Sequence, residues 1–188
     1  VSSFLIHKDV HDPAKVAELF QKDQHAYGRG EGRFYRPLLS LTFMGDFYLA
    51  NRGARAAEAA SIPPVAPFIF HLSSSLWHIA AASALVIMLA VFRAPRIVLL
   101  LAPLLYVVHP LHTEAVAYIS GRADSMAAFF IFLGMAAAFA PRLEPVRARF
   151  GRLAWPLFSL AAALCVFAGA LSKESGAMLL PLLLLGAL

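Results

Sequence analysis

The chain divides into a mixed N-terminal third and a long, mostly apolar remainder. Acidic and basic residues alternate from Lys8 to Arg36, whereas residues 67–188 consist of apolar runs separated by short polar clusters. A helix that crosses about 30 Å of hydrocarbon needs about 20 mainly apolar residues, because it rises about 1.5 Å per residue. The pattern therefore predicts a transmembrane helical region over residues 67–188, preceded by a loop over residues 1–66.

Four apolar runs are long enough, or nearly long enough, to cross a bilayer, and a fifth is truncated. The runs cover residues 67–92, 97–117, 125–140, 155–171 and 176–188. The last run has 13 residues, so its helix would end with a carboxylate inside the lipid, which is costly. We therefore expect the natural protein to continue beyond Leu188, and also to extend before Val1, which is not an initiator methionine.

A shorter apolar run predicts a helix at the membrane surface. Residues 37–50 are apolar apart from an interruption at Asp46, and 14 residues are too few to span the bilayer. We expect this segment to form an interfacial helix that Phe43, Phe47 and Tyr48 anchor in the lipid headgroup region.

Composition supports an integral membrane protein and excludes other classes. Hydrophobic residues make up 60% of the chain and charged residues 14%, whereas soluble domains have about a half and about a quarter. The single cysteine, Cys165, excludes a disulfide scaffold. The net charge of +5 would suggest nucleic acid in a soluble chain, but membrane loops explain the arginines, so we expect no nucleic-acid partner.

Basic residues collect in two of the predicted loops. Arg93 and Arg96 join the first two spans, and four arginines join the third and fourth. By the positive-inside rule, these two loops are expected to be cytoplasmic. The opposite loops, at residues 109–124 and 172–175, and the segment 1–66 are then expected to face outward.

The densest polar cluster begins at His109 and ends at Asp124. Ionisable groups at a membrane boundary are costly unless they are paired or used, so we interpret this cluster as functional. Ser120 could cap the third span, and Asp124 suits the positive end of its dipole. Arg122 would make this helix start a phosphate site, and an equal alternative is that Arg122 and Asp124 simply pair with each other.

The same cluster contains potential metal ligands. His109, His112 and Glu114 offer two imidazoles and a carboxylate, which suit a divalent cation. Their spacing matches no well-known metalloprotease pattern, and Pro110 interrupts a shared helical face. We therefore favour interfacial hydrogen bonding and predict no cofactor, with a divalent cation as the alternative.

Other polar positions flank the apolar runs. Lys173 and Glu174 could contact a phosphate and a sugar hydroxyl, or could form an exposed ion pair that is worth little energetically. Arg36 follows a tyrosine and precedes a proline, where it could bind an anion or merely snorkel to the interface. His71 and His78 share one face of the first span, where buried hydrogen bonding between helices is the favoured role.

The polar motifs occur in an order that resembles one known family. They are Tyr35-Arg36-Pro37-Leu38, Phe70-His71-Leu72, His109-Pro110-Leu111-His112-Thr113-Glu114, Ser120-Gly121-Arg122-Ala123-Asp124 and Leu171-Ser172-Lys173-Glu174. The set is similar to the membrane region of the TMTC-type O-mannosyltransferases, which are transmembrane and tetratricopeptide-repeat proteins of the GT-C superfamily with bacterial relatives. The resemblance covers nearly the whole chain, and its two central motifs are specific.

The resemblance implies an all-α, polytopic, GT-C-like helical bundle whose extracytoplasmic first loop contains an interfacial helix. It also implies inverting transfer of a sugar, mannose in animal members, from a polyprenyl-phosphate or dolichyl-phosphate carrier to a protein Ser or Thr. Such chemistry needs a carboxylate to take the acceptor proton and cations to stabilise the departing phosphate. The implied location is the endoplasmic reticulum or a bacterial inner membrane, with the active site on the extracytoplasmic side.

The resemblance also implies roles for individual residues. We expect carrier-phosphate contacts from Arg36, Arg122 and Lys173, and hydrogen bonds to the sugar from His109 and His112. Glu114 and Asp124 are expected to be catalytic or organising carboxylates, and Glu174 is expected to organise the site or contact the acceptor. The family has an acidic pair after its first span that should fall at or before Val1, so Asp9 is a substitute candidate for the base. The resemblance also implies a repeat domain toward the C-terminal end, which these 188 residues do not include.

Two other functions fit the same pattern. A transporter or flippase fragment would line a pathway with the polar clusters, and the interruptions at Pro103 and Pro181 fit that function. A noncatalytic membrane scaffold would pack its helices through small residues such as Gly134. Release of free polyprenyl phosphate would distinguish a transferase from a transporter, and a scaffold would tolerate substitution of Arg122 and Glu114.

Overall fold

The computed structural model describes residues 16–21, 35–50 and 67–187. These ranges are largely helical and contain no strand, which confirms the predicted all-α class. The helices are α1 (Val16–Leu19), α2 (Pro37–Ala50), α3 (Pro67–Val91), α4 (Arg96–Val108), α5 (Thr113–Ala117), α6 (Arg122–Phe139), α7 (Glu144–Phe150), α8 (Ala154–Ser172) and α9 (Leu179–Ala187). Short 3-10 turns lie at Pro110–His112, Ile119–Gly121, Ala140–Arg142, Gly151–Leu153 and Glu174–Met178.

Three helical stretches of the described ranges are long and apolar enough to cross a membrane. They are Phe68–Val91, Ile119–Arg142 and Glu144–Ser172. A fourth span is present if Arg96–Val108 and Pro110–Ala117, which meet at a 50° bend, are taken together. The chain is therefore a polytopic membrane protein, and the shorter apolar helix Glu174–Gly186 occupies the predicted truncated fifth run.

The predicted second span bends at Pro110. α4 ends at Val108, His109 has an extended backbone, and the chain restarts in the turn Pro110–His112. Proline has no N–H and fixes φ, so the helical hydrogen-bond ladder stops there. The His109 side chain caps the turn, because its Nδ1 accepts a hydrogen bond of 3.2 Å from the backbone N–H of Leu111.

Helix α6 begins without the predicted serine cap. Its N-cap is Gly121 and carries no side-chain cap hydrogen bond, so the prediction that Ser120 caps this helix is wrong. A Cβ atom at Gly121 would lie only 2.8 Å from the Cα of Ala115 and 3.0 Å from the carbonyl carbon of Glu114. The start of α6 is therefore positioned by the close backbone approach of α5, which only a glycine permits.

Helix α2 confirms the predicted helix over residues 37–50, but its aromatic side chains face the protein. Phe43 and Phe47 are buried in one cluster with Phe70 of α3, whereas Tyr48 is exposed. The prediction that Phe43 and Phe47 anchor the helix in lipid is therefore wrong. Their burial instead packs α2 against α3 and the start of α6, through Phe70, Ala123 and Met126.

Helix α6 packs between α3 and α8, and it runs parallel to α3 and antiparallel to α8. This arrangement gives the bundle two ends of different character. The polar end contains the starts of α2, α3 and α6 and the ends of α4 and α8. The arginine end, on the opposite side, contains Arg93, Arg96, Arg142, Arg147, Arg149 and Arg152.

Candidate functional site

Two ion pairs at the polar end join three separate segments of the chain. Arg36 donates from Nε and Nη2 to the two carboxylate oxygens of Glu174, at 3.2 and 2.7 Å. Lys173 pairs with Asp124 in the first turn of α6. These pairs bring the start of α2 and the start of α6 to the turn after α8. We call the four residues Arg36, Asp124, Lys173 and Glu174 the charge cluster.

The charge cluster is reached from outside through its carboxylates. The side chains of Glu174 and Asp124 are 56% and 55% exposed, whereas those of Arg36 and Lys173 are 17% and 27% exposed. The hydrogen bonds from Arg36 hold the pKa of the Glu174 carboxyl below its usual range, so this group is ionised at neutral pH. An anion can therefore approach both cations by displacing exposed carboxylates, without entering the protein core.

Arg122 lies in the protein interior, behind the charge cluster. Its side chain is 0% exposed, and its Nη1 lies 2.6 Å from Oδ2 of Asp46 in α2. Its guanidinium also donates hydrogen bonds from Nε to Ser74 Oγ (3.2 Å), from Nη1 to Thr42 Oγ1 (3.1 Å) and from Nη2 to the Phe70 carbonyl oxygen (2.8 Å). The guanidinium carbon also lies 4.8 Å from the centre of the Phe43 ring, which is close enough for a cation–π contact. Arg122 thus joins α2 and α3 to α6.

This position changes the interpretation of Arg122. The alternative ion pair with Asp124 is wrong, because Arg122 pairs with Asp46 and Asp124 pairs with Lys173. A contact between Arg122 and a carrier phosphate stays a prediction. To make this contact, the guanidinium would have to give up its buried ion pair and hydrogen bonds for the phosphate oxygens. Burial raises the pKa of the Asp46 carboxyl above its usual range, while Arg122 opposes that rise.

A stack of imidazole and phenol rings lies beside the charge cluster. The His78 and Tyr106 rings are 4.9 Å apart and 17° from parallel, and the His112 ring lies 4.4 Å from Tyr106. His109 extends the stack, with its ring centre 6.0 Å from that of His112.

His78 also joins two helices. Its Nδ1 atom lies 3.4 Å from Oγ of Ser125, the residue after Asp124, in agreement with the predicted buried hydrogen bonding between helices.

Tyr106 is the member of this stack that the sequence did not single out. It lies in an apolar run of α4, where a tyrosine is an ordinary residue for a membrane helix. The available signal was its position within one helical turn of the His109–His112 motif along the chain. His71, in contrast, is exposed and lies outside the stack.

Glu114 is exposed on α5, and the ion pairs of residues 16–21, 35–50 and 67–187 do not include it. The same ranges contain no group of three His, Cys, Asp or Glu side chains placed to hold a metal ion. His109, His112 and Glu114 thus do not form a preassembled ligand set. Asp9, the substitute candidate for the base, lies outside the described residues.

The fold and the polar end together define a polytopic helical membrane protein with an ionic and imidazole-rich site at one end of its bundle. Comparison with curated proteins identifies similar sequences. Protein O-mannosyl-transferase TMTC3 of Mus musculus is 31% identical over 133 residues, which cover 69% of this chain and 13% of that protein. Protein O-mannosyl-transferase TMTC4 of Homo sapiens is 37% identical over 125 residues, which cover 56% of this chain and 15% of that protein.

A further relative, protein O-mannosyl-transferase TMTC1 of Homo sapiens, is 31% identical over 124 residues, which cover 61% of this chain and 12% of that protein. These similarities confirm the resemblance found in the motifs: the chain matches a fragment of a TMTC-type protein. The chain spans less than a fifth of the length of the curated relatives it matches. No family model and no solved structure matches the chain.

Proposed function

We propose that this protein is a glycosyltransferase that moves mannose from a polyprenyl-phosphate carrier to a Ser or Thr hydroxyl of a protein acceptor. The relatives are protein O-mannosyl-transferases, which favours this function over a transporter or a noncatalytic scaffold. The charge cluster carries the proposal, because it places two cations and two carboxylates together at one end of the bundle. We place this end on the extracytoplasmic side, since the arginine end is then cytoplasmic by the positive-inside rule.

The carrier phosphate binds to Arg36 and Lys173 in this proposal. The planar fork of Arg36 already holds two carboxylate oxygens, and a phosphate presents oxygens in a similar geometry. Binding of the phosphate displaces Glu174 and Asp124 toward solvent, where both are already more than half exposed. The prenyl tail stays in the bilayer beside the apolar helices.

The chemical step is an inverting substitution at the anomeric carbon of the sugar. The acceptor hydroxyl oxygen bonds to this carbon from the face opposite the phosphate, and the carbon–oxygen bond to the phosphate breaks. The phosphate leaves with the bonding electrons, and Arg36 and Lys173 stabilise its charge. Because two protein cations supply this stabilisation, the proposed step needs no divalent cation.

A carboxylate accepts the proton that the acceptor hydroxyl loses. Among the described residues, Glu114 is exposed without an ion-pair partner, and Asp124 becomes available when the phosphate engages Lys173. Asp9 is the third candidate for this role. His109 and His112, on the ring stack beside the cluster, donate hydrogen bonds to sugar hydroxyls.

Substitution of Lys173 should remove most of the transfer activity. In the full-length protein, Lys173→Gln should slow mannosylation of a Ser/Thr peptide by about 10²–10³-fold, because loss of one contact to a developing negative charge has an effect of about that size. The matched control is Arg152→Gln at the arginine end, which should keep the wild-type rate. Mannosylated peptide and free polyprenyl phosphate are measured together.

Equal rates for Lys173→Gln and Arg152→Gln would contradict the proposed phosphate contact. Movement of the carrier-linked sugar across a vesicle membrane without release of free polyprenyl phosphate would identify a transporter instead. Release of that product in step with peptide mannosylation is the result that the transferase proposal requires.

A further inference from the structure

A cavity of about 460 Å³, open to the outside, lies toward the arginine end of the bundle, between the end of α6, helix α9 and the first part of α8. Its volume falls within the range of about 300–1,000 Å³ that is typical of ligand pockets. The wall is mostly apolar, with Ala163, Val166 and Leu183 among its residues, and Arg142 and Ser159 supply polar groups. About 27 Å of helix separates Asp124 from Arg142, so the cavity is remote from the charge cluster.

Arg142 holds its guanidinium in a fixed position at this cavity. Its Nη2 donates to the carbonyl oxygen of Gly186 at 3.3 Å, and its guanidinium carbon lies 4.2 Å from the centre of the Phe139 ring. An arginine has five N–H donors, and the described part of the chain provides this partner for one of them. Because Arg142 is exposed, its other donors can meet an anion that approaches from outside.

The charge around the cavity favours an anionic ligand. Six arginines lie at this end of the bundle, whereas Glu144 is the acidic residue within the same two loops. The attraction between an arginine and an anionic lipid falls off within a Debye length of about 8 Å, so Arg142, which lines the cavity, acts most strongly on a lipid bound there. Trp155 also lines the cavity, and tryptophan is enriched at the level of the lipid headgroups.

We propose that this cavity binds an anionic phospholipid from the surrounding bilayer. The phosphate of the lipid lies at Arg142, and one acyl chain lies against Ala163 and Val166 in the apolar part of the cavity. This site is separate from the proposed transfer reaction, because the lipid is neither donor nor acceptor and lies at the opposite end of the bundle.

Trp155 makes the proposal directly measurable. The chain has two tryptophans, and the other, Trp77, packs against Phe129 and Phe130 instead of lining the cavity. In a Trp77→Phe variant in phosphatidylcholine bilayers, a minor fraction of brominated phosphatidylglycerol should quench Trp155 more than the same fraction of brominated phosphatidylcholine. The expected preference for the anionic lipid is about fivefold or more.

Two variants and one control test the site itself. Arg142→Gln should lower the preference by about fivefold, whereas Arg149→Gln, at the same end but outside the cavity lining, should keep it. Ala163→Leu fills the cavity without changing a charge and should also lower the preference. The Trp155 emission maximum in unbrominated phosphatidylcholine verifies that each variant is folded.

Equal quenching by the two brominated lipids would overturn the proposal. An equal loss of preference in Arg142→Gln and Arg149→Gln would also overturn it, since that result indicates general surface attraction. Retention of the full preference in Ala163→Leu would show that the lipid does not occupy the cavity.

Discussion

Replacement of Arg122 by alanine should destabilise the helical bundle by about 3–5 kcal/mol. The substitution leaves the Asp46 carboxylate buried without its partner, and removal of one member of a buried ion pair has a cost of about this size. It also removes the hydrogen bonds to Thr42, Ser74 and Phe70 that join α2 and α3 to α6. The free energy of unfolding in mixed detergent micelles measures the effect.

Two controls separate the buried pair from a direct substrate contact. The double variant Arg122→Met and Asp46→Leu should recover most of the lost stability, because apolar residues often replace a buried ion pair without penalty. Arg152→Ala, which removes an exposed arginine, should change the free energy of unfolding by less than about 1 kcal/mol. An Arg122→Ala protein with wild-type stability but no transfer would contradict the buried pair and favour the phosphate role.

Substitution of Gly176 by alanine should disturb the turn that carries Lys173 and Glu174. A Cβ atom there would lie 2.7 Å from the Cα of Gly169 in α8 and even closer to its carbonyl group. Backbone atoms cannot yield as a flexible side chain can, so the turn has to move away from α8. We expect a loss of about 1–3 kcal/mol in the free energy of unfolding.

The same chain offers a matched glycine at a position with open space. Nothing lies within 4 Å of a Cβ atom at Gly45 in α2, and a glycine in a helix is less favourable than alanine. Gly45→Ala should therefore stabilise the protein by about 0.5–1 kcal/mol, measured by the same unfolding experiment. Similar changes at Gly45 and Gly176 would show that the turn is not packed against α8 as the structure has it.

The helices could be predicted from the sequence because the length of an apolar run is a strong physical signal. The apolar run over residues 37–50 predicts a helix, and the structure has one over the same range. The run 155–171 matches Ala154–Ser172 within one residue at each end. The bend after Val108 also has a visible cause in the proline that follows it.

The partners of the charged groups could not be predicted in the same way. Asp124 is the nearest acid to Arg122 along the chain, yet Asp46 is its partner, because α2 packs across the starts of α3 and α6. One hint is visible in the sequence: Asp46 stands inside an apolar run, and a charged group that is buried among apolar residues needs a partner of opposite charge. Likewise, whether Phe43 faces the lipid or the protein depends on which helices pack against α2. The spacing of apolar residues along the sequence does not identify those helices.

The most direct test of the central claim is the affinity of polyprenyl-phosphate mannose for this chain in lipid nanodiscs. The double variant Arg36→Gln and Lys173→Gln should weaken binding by about a hundredfold, because each contact from a cation to the phosphate contributes about tenfold. Arg152→Gln should leave the dissociation constant unchanged. The same dissociation constant for the wild type and the double variant would contradict the claim that the charge cluster holds the carrier phosphate.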